Sequence, residues 1–299
     1  MFLQQSRAIV SHAWPILIAQ LASMGMMVID TVLLGHYGAV DLAAVAVGGG
    51  IYIAVVFALV GILQAVAPTV AHHVGARRDH EIAGALQQTI WLALVLCIPG
   101  VLILWFPDPI LALSSMEPAV EEKLRAYLRI IAFGMPAGLL YRTFYSFCNA
   151  LRQPRPLMVI SLANTLVHGV LAWVLVTGVF ADPLGGLGCG LSNVFVNWVG
   201  CFLAGLWVAK SPALARFKPF ANWQAPRWGA IRELLRLGLP MGFSNFVEIT
   251  SFTLIALFVA QLGATAVAGH RIVANLAALC YMLPLALAIA TLAQVGQAA

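Results

Sequence analysis

Long apolar runs separated by short polar breaks fill the chain, near residues 13–35, 43–70, 87–106, 124–147, 157–179, 191–209, 238–260 and 267–293. Each is close to the ~20 residues a helix needs to cross a bilayer. The pattern predicts an all-α protein of eight membrane-crossing helices. Inside the first run, Gln20, Ser23, Met27 and Asp30 follow 3-4-3 spacing and share one helix face, while Ile16, Leu21, Val28 and Val32 occupy the others. A polar stripe carrying a carboxylate therefore lies within an apolar helix. An ionised Asp near a bilayer centre costs ~2.5–3.5 kcal/mol on insertion scales, so such a residue faces protein or water and often marks an ion path. The competing reading is a structural hydrogen bond to a neighbouring helix.

Composition agrees with the pattern. Of 299 residues, 62% are hydrophobic and 9% charged, and mean hydropathy is +0.95, far from the ~25% charged residues of soluble domains. A net charge of +5 would suit nucleic acid in a soluble protein. Here the placement of the basic residues excludes that reading. Arg7, Arg77, Arg78, Arg152, Arg155 and the group from Lys210 to Arg236 fall before the first run and in the 2–3, 4–5 and 6–7 connections, whereas Asp41, Asp108, Glu117 and Asp182 fall in the others. By the positive-inside rule the N-terminus is expected on the cytoplasmic side of the plasma (inner) membrane, with the bilayer as the chain's main partner. Five cysteines without CxxC pairing indicate neither a disulfide framework nor a metal site.

The connection around Lys210–Leu237 is the longest and most basic, and its end, PRWGAIRELLRLG, suits a helix lying in the membrane interface. It reads as a linker between a first lobe over 1–209 and a second beginning at 238. A weak internal repeat agrees: Pro15 and Pro240 differ by 225 (240 − 15), as do Gly38 and Gly263 (263 − 38). A full second lobe would then extend well past residue 299, so the sequence is expected to stop after its eighth span.

Glu248 is the other carboxylate deep in a run, on one face with Met241, Ser244 and Ser251; Asn245 is the repeat partner of Gln20. Asn164 and His168 are four apart and share a face of the fifth helix. A buried carboxyl can hold a proton or pair with a cation, and an imidazole titrates near neutrality. That chemistry suits an ion-coupled carrier. No GxSxG, HExxH or Walker sequence is present, so no enzyme activity is expected.

Several stretches resemble the multidrug and toxic compound extrusion (MATE) family, in its NorM-like and DinF-like bacterial branches. They are AWPILIAQLASMGMMVIDTVLLGHYG, ALRQPRPLMVISLANTLVHGVLAWVLVTG, DPLGGLGCGLSNVFVNW and the segment from LGLPMGFSNFVEITSF through ATLAQVGQ. The resemblance implies a two-lobe, twelve-helix bundle, monomeric at full length, exchanging cationic or amphipathic compounds for H+ or Na+ without a cofactor. It places Asp30, Asn164, His168 and Glu248 in cation- or proton-coupling sites. Asn or Asp is more usual where His168 stands, which favours proton chemistry there. Gln20, Ser23, Met27, Ser244 and Asn245 are expected along the substrate pathway. The alternatives are a lipid-linked sugar flippase of the wider superfamily, disfavoured by acids on the pore-facing stripes, and a fragment without transport activity.

Overall fold

The computed structural model describes residues 2–111, 117–179, 182–260 and 264–298. Its helices are α1 (Phe2–Tyr37), α2 (Ala39–Leu63), α3 (Val66–Gly75), α4 (Asp79–Trp105), α5 (Asp108–Leu111), α6 (Pro118–Ala132), α7 (Met135–Ala150), α8 (Arg155–Thr177), α9 (Gly186–Lys210), α10 (Trp228–Ala260) and α11 (Ala264–Ala298). Apolar segments in lipid must satisfy their own backbone groups, and the helix does this within one segment.

Prolines set most departures from the predicted spans. The ring of a helical proline crowds the carbonyl four residues earlier and removes one ladder bond. Pro68 thus breaks the second run at Gln64–Ala65, separating α2 from α3, and Pro136 breaks the fourth at Phe133–Gly134, separating α6 from α7. The fourth crossing, expected as one helix, is two. α8 begins with proline in its first turn and ends at Gly178, which takes the left-handed conformation (φ 71°) usual for a helix cap. Among the described residues, six segments are individually long and apolar enough to cross a membrane: Arg7–Tyr37, Ala39–Gly75, Asp79–Trp105, Arg155–Thr177, Gly186–Lys210 and Leu276–Gln297.

Helix bounds repeat at the offset seen in the sequence. α2 begins at Ala39 and α11 at Ala264 (264 − 39 = 225), and α1 corresponds in the same way to α10. α1 packs on α11 and α2 packs on α10, so under the repeat these are one contact made twice. The α2–α10 crossing is close because glycines line it. A Cβ on Gly61 would stand 2.5 Å from the Gly242 Cα, and one on Gly238 would stand 2.2 Å from the Ile62 carbonyl oxygen.

The 211–227 connection is held rather than loose. Gln87 and Gln88, both buried on α4, read its backbone: Gln87 Nε2 donates to Pro219 O (3.0 Å) and Ala221 O (3.2 Å), and Gln87 Oε1 accepts from Gln224 N (2.8 Å). Gln88 Nε2 donates to Ala225 O (3.0 Å) and its Oε1 accepts from Arg227 N (2.7 Å). Trp91 Nε1 donates to Gln224 O, and Phe220 stacks on Trp223 beside it. Residues 228–237, expected as a separate interfacial helix, are the first turns of α10, which continues through Pro240.

Candidate functional site

α1 and α8 pack along a seam of small residues. Gly25 meets Thr165, Gly169 meets Ile29, and Thr165 Oγ1 donates across the seam to Ala22 O at 2.8 Å. This close approach brings Asp30 to His168. The imidazole Nε2 lies 2.9 Å from Asp30 Oδ1, with His168 fully buried and the carboxylate largely so. The other ring nitrogen, Nδ1, lies 2.9 Å from Ser192 Oγ on α9, and the same hydroxyl lies 3.2 Å from the His168 carbonyl oxygen. Asp30, His168 and Ser192 thus form one line of hydrogen bonds across three helices.

The walls of the site are apolar and weakly polar. Tyr127 of α6 and Cys189 of α9 stand within electrostatic reach of Asp30, and Cys189 is also within reach of Asp41. Asp41 is buried in the first turn of α2, where it accepts from Gly186 N (2.8 Å) and pairs with Lys123 Nζ (2.5 Å). Further out, Asp108 is bonded by Arg125, which also bonds Glu121. That guanidinium holds the Asp108 carboxyl below the usual carboxylate range.

The expected residues divide into those brought to this point and those placed elsewhere. Asp30 and His168 meet. Asn164, buried one turn earlier on α8, faces Gly200 of α9, where a Cβ would stand 2.3 Å from the amide nitrogen. Gln20 is half-buried with its Oε1 enclosed and unpaired. Ser23 and Met27 are exposed, and the Ser23 hydroxyl donates back to Ala19 O. Across the bundle, Asn245 donates to Phe57 O at 3.4 Å, while Ser244 and Glu248 are exposed and Tyr281 of α11 stands within reach of Glu248.

Ser192 and Tyr127 were not singled out in the sequence. Ser192 is one small residue in the run GLGCGLSNVF, and only the seating of α9 on α8 gives it an imidazole to face. Arg142 has a different setting: it is half-buried over the Tyr145 ring at 5.9 Å and within reach of Tyr52 and Tyr141.

The MatE family model matches residues 15–174 and 240–299. The chain is 58% identical over 289 residues to "Probable multidrug resistance protein NorM" of Aromatoleum aromaticum, covering 96% of this chain and 62% of that protein. It is 35% identical over 297 residues to "Multidrug resistance protein MdtK" of Photorhabdus laumondii, covering 99% and 65%. Among solved structures, the MATE transporter NorM-NG, crystallised in a complex that includes a monobody, superposes with a TM-score of 0.79 at 28% identity, over 95% of this chain and 62% of that one. The chain therefore spans a little under two thirds of the length of these relatives.

Proposed function

The chain belongs to the MatE family, and from that premise we propose that it acts in a secondary multidrug efflux system of the inner membrane, exchanging cationic or amphipathic compounds for protons. In this reading residues 1–209 form one lobe, 210–237 the linker, and 238–299 belong to the second lobe, with the N-terminus cytoplasmic. Alternating access then comes from movement of one lobe against the other. Multidrug transport is named for the relatives above, and the polar stripes of α1 and α10 supply acids that suit cationic cargo.

The observation that carries the reading is the Asp30–His168 pair. A carboxylate in lipid needs a compensating proton, cation or donor. Here an imidazole nitrogen fills one side of it. Sodium is a hard cation that seeks several oxygen ligands, and His168 puts a nitrogen where such a ligand would have to approach. A proton shared between carboxylate and imidazole meets no such obstacle. When protonated, the pair suits a closed, dry lobe; when deprotonated, Asp30 attracts a cationic compound. Glu248, with Tyr281 beside it, is the corresponding acid of the second stripe.

The test is ethidium efflux from energised membrane vesicles under imposed proton and sodium gradients separately, with protein level checked. Asp30→Asn is expected to insert normally and to reduce proton-driven efflux to background, and Glu248→Gln to impair it. Wild-type rates from Asp30→Asn under both gradients would remove Asp30 from the mechanism.

A further inference from the structure

We propose that Ser192 is a positioning residue whose hydroxyl switches between two acceptors, and so allows the buried imidazole of His168 to gain and lose a proton in place. The inference rests on the reading of Asp30–His168 as the coupling centre and adds a role for a third residue.

His168 has no access to solvent, so every hydrogen-bonding atom of its ring must be matched inside the protein in each protonation state. When the ring is neutral and Asp30 is ionised, Nε2 carries the hydrogen and donates to Asp30 Oδ1 at 2.9 Å. The Nδ1 lone pair then needs a donor. Ser192 Oγ, at 2.9 Å, supplies its hydrogen. When the ring takes a second proton, Nδ1 becomes a donor and needs an acceptor. The same oxygen accepts it, and the serine hydrogen turns to the His168 carbonyl oxygen at 3.2 Å. One hydroxyl torsion therefore satisfies both states, with no movement of heavy atoms.

The neighbours add no second titrating partner to Nδ1. Asp30 comes from α1 and Ser192 and Cys189 from α9; Tyr127 from α6 and Cys189 act on Asp30, and Asp41 of α2 is engaged by Lys123 and Gly186. Asn164, on the same helix, is turned to Gly200. Removing the Ser192 hydroxyl would cost the cationic ring a charge-assisted bond and the neutral ring an ordinary one. The charged form loses more.

The experiment reads the imidazole directly, by nitrogen NMR of the 15N-histidine-labelled chain in lipid bilayers, with the His168 signals assigned by their loss in His168→Asn. Three results are expected. The wild-type ring titrates between pH 5 and 9, its neutral form carries hydrogen on Nε2, and Ser192→Ala moves the midpoint acid by about one pH unit, on the order expected for one lost charge-assisted bond. Ser192→Thr, which keeps the hydroxyl, restores it. An unmoved midpoint in a folded Ser192→Ala, a ring locked in one state across the range, or a neutral form protonated on Nδ1 would overturn the proposal. Because none of these readouts requires transport, failure here is distinct from failure of the efflux reading.

Discussion

Asp41 and Lys123 form an ion pair with unequal partners: the carboxylate is buried at 8% side-chain exposure, whereas the ammonium keeps 45% of its surface in contact with the exterior. The pair joins the first turn of α2 to α6, and Gly186 at the start of α9 donates to the same carboxylate. Three helices therefore meet at one acid close to Asp30.

Removing the lysine leaves Asp41 buried with a single backbone donor. A fully buried charge stripped of its partner costs ~3–5 kcal/mol, but solvent screening of the exposed ammonium reduces this to about 1 kcal/mol. Lys123→Ala is expected to lower the midpoint of thermal unfolding in detergent by a few degrees, with Lys123→Arg close to wild type. The appearance of reactive thiols on heating is a suitable signal, because Cys97, Cys148, Cys189 and Cys201 are all buried. Gly185→Ala should be worse than either. Its φ is +55°, and a Cβ there would stand 2.6 Å from both Asp41 Oδ1 and Tyr37 Cε1.

The linker clamp makes a separate prediction. Gln87 and Gln88 satisfy backbone groups of Pro219, Ala221, Gln224, Ala225 and Arg227. Replacing both with Leu strands those groups and leaves the segment without anchors. The double variant is expected to be cut by trypsin at Arg216, Lys218 or Arg227 at least ~10-fold faster in inside-out vesicles, the change in opening equilibrium that ~1.4 kcal/mol of lost clamping gives. Equal cutting rates would show that the aromatic stack of Phe144, Phe220, Trp223 and Trp91 holds the segment unaided.

Much of this was legible in the residues, for physical reasons that also set the limit. Helix number and placement follow from the length of apolar runs, because lipid leaves the backbone few alternatives. The 225 offset, weak as sequence identity, reappears as matching helix bounds. The splits at Gln64 and Phe133 were available in Pro68 and Pro136 but were hidden by the surrounding hydrophobicity. Asp41 and Lys123 read as residues of outer connections because they lie 82 positions apart and neither is informative alone. Ser192 is harder still, since a serine between small residues carries no periodic signal. Gln87–Gln88 is the opposite case: two adjacent amides opening an apolar run require partners, and the basic connection supplied them.

The α2–α10 crossing predicts a contrast between glycines. A Cβ on Gly61 would meet the Gly242 Cα at 2.5 Å, whereas one on Gly49, earlier on the same helix, would meet nothing within 4 Å. Gly61→Ala therefore forces two backbones apart and is expected to cost ~1–3 kcal/mol. Gly49→Ala should be neutral or stabilising by ~0.5–1 kcal/mol through helix propensity. Thiol-detected unfolding of the two variants side by side checks the sign. Equal melting temperatures would mean that α2 and α10 do not approach as closely as these glycines permit.

His168→Asn predicts how the site responds when its imidazole is replaced by the amide more usual in the family. The Asn amide ends nearer the backbone than Nε2 does, so it can keep a bond to Ser192 but withdraws from Asp30 Oδ1, now 2.9 Å from the ring. The space released lies beside an ionised carboxylate and is bordered by an amide oxygen. Two consequences follow with opposite signs. The site loses the group that titrates near neutrality, so proton-driven ethidium efflux should lose its dependence on pH between about 6 and 8. It also gains an oxygen in place of a nitrogen, so sodium-driven efflux should rise relative to wild type. Measuring both rates in the same vesicle preparation separates these effects from a change in protein amount, which would move them together. If proton-driven efflux keeps its wild-type pH profile, the imidazole is a packing group and Asp30 carries the proton without it.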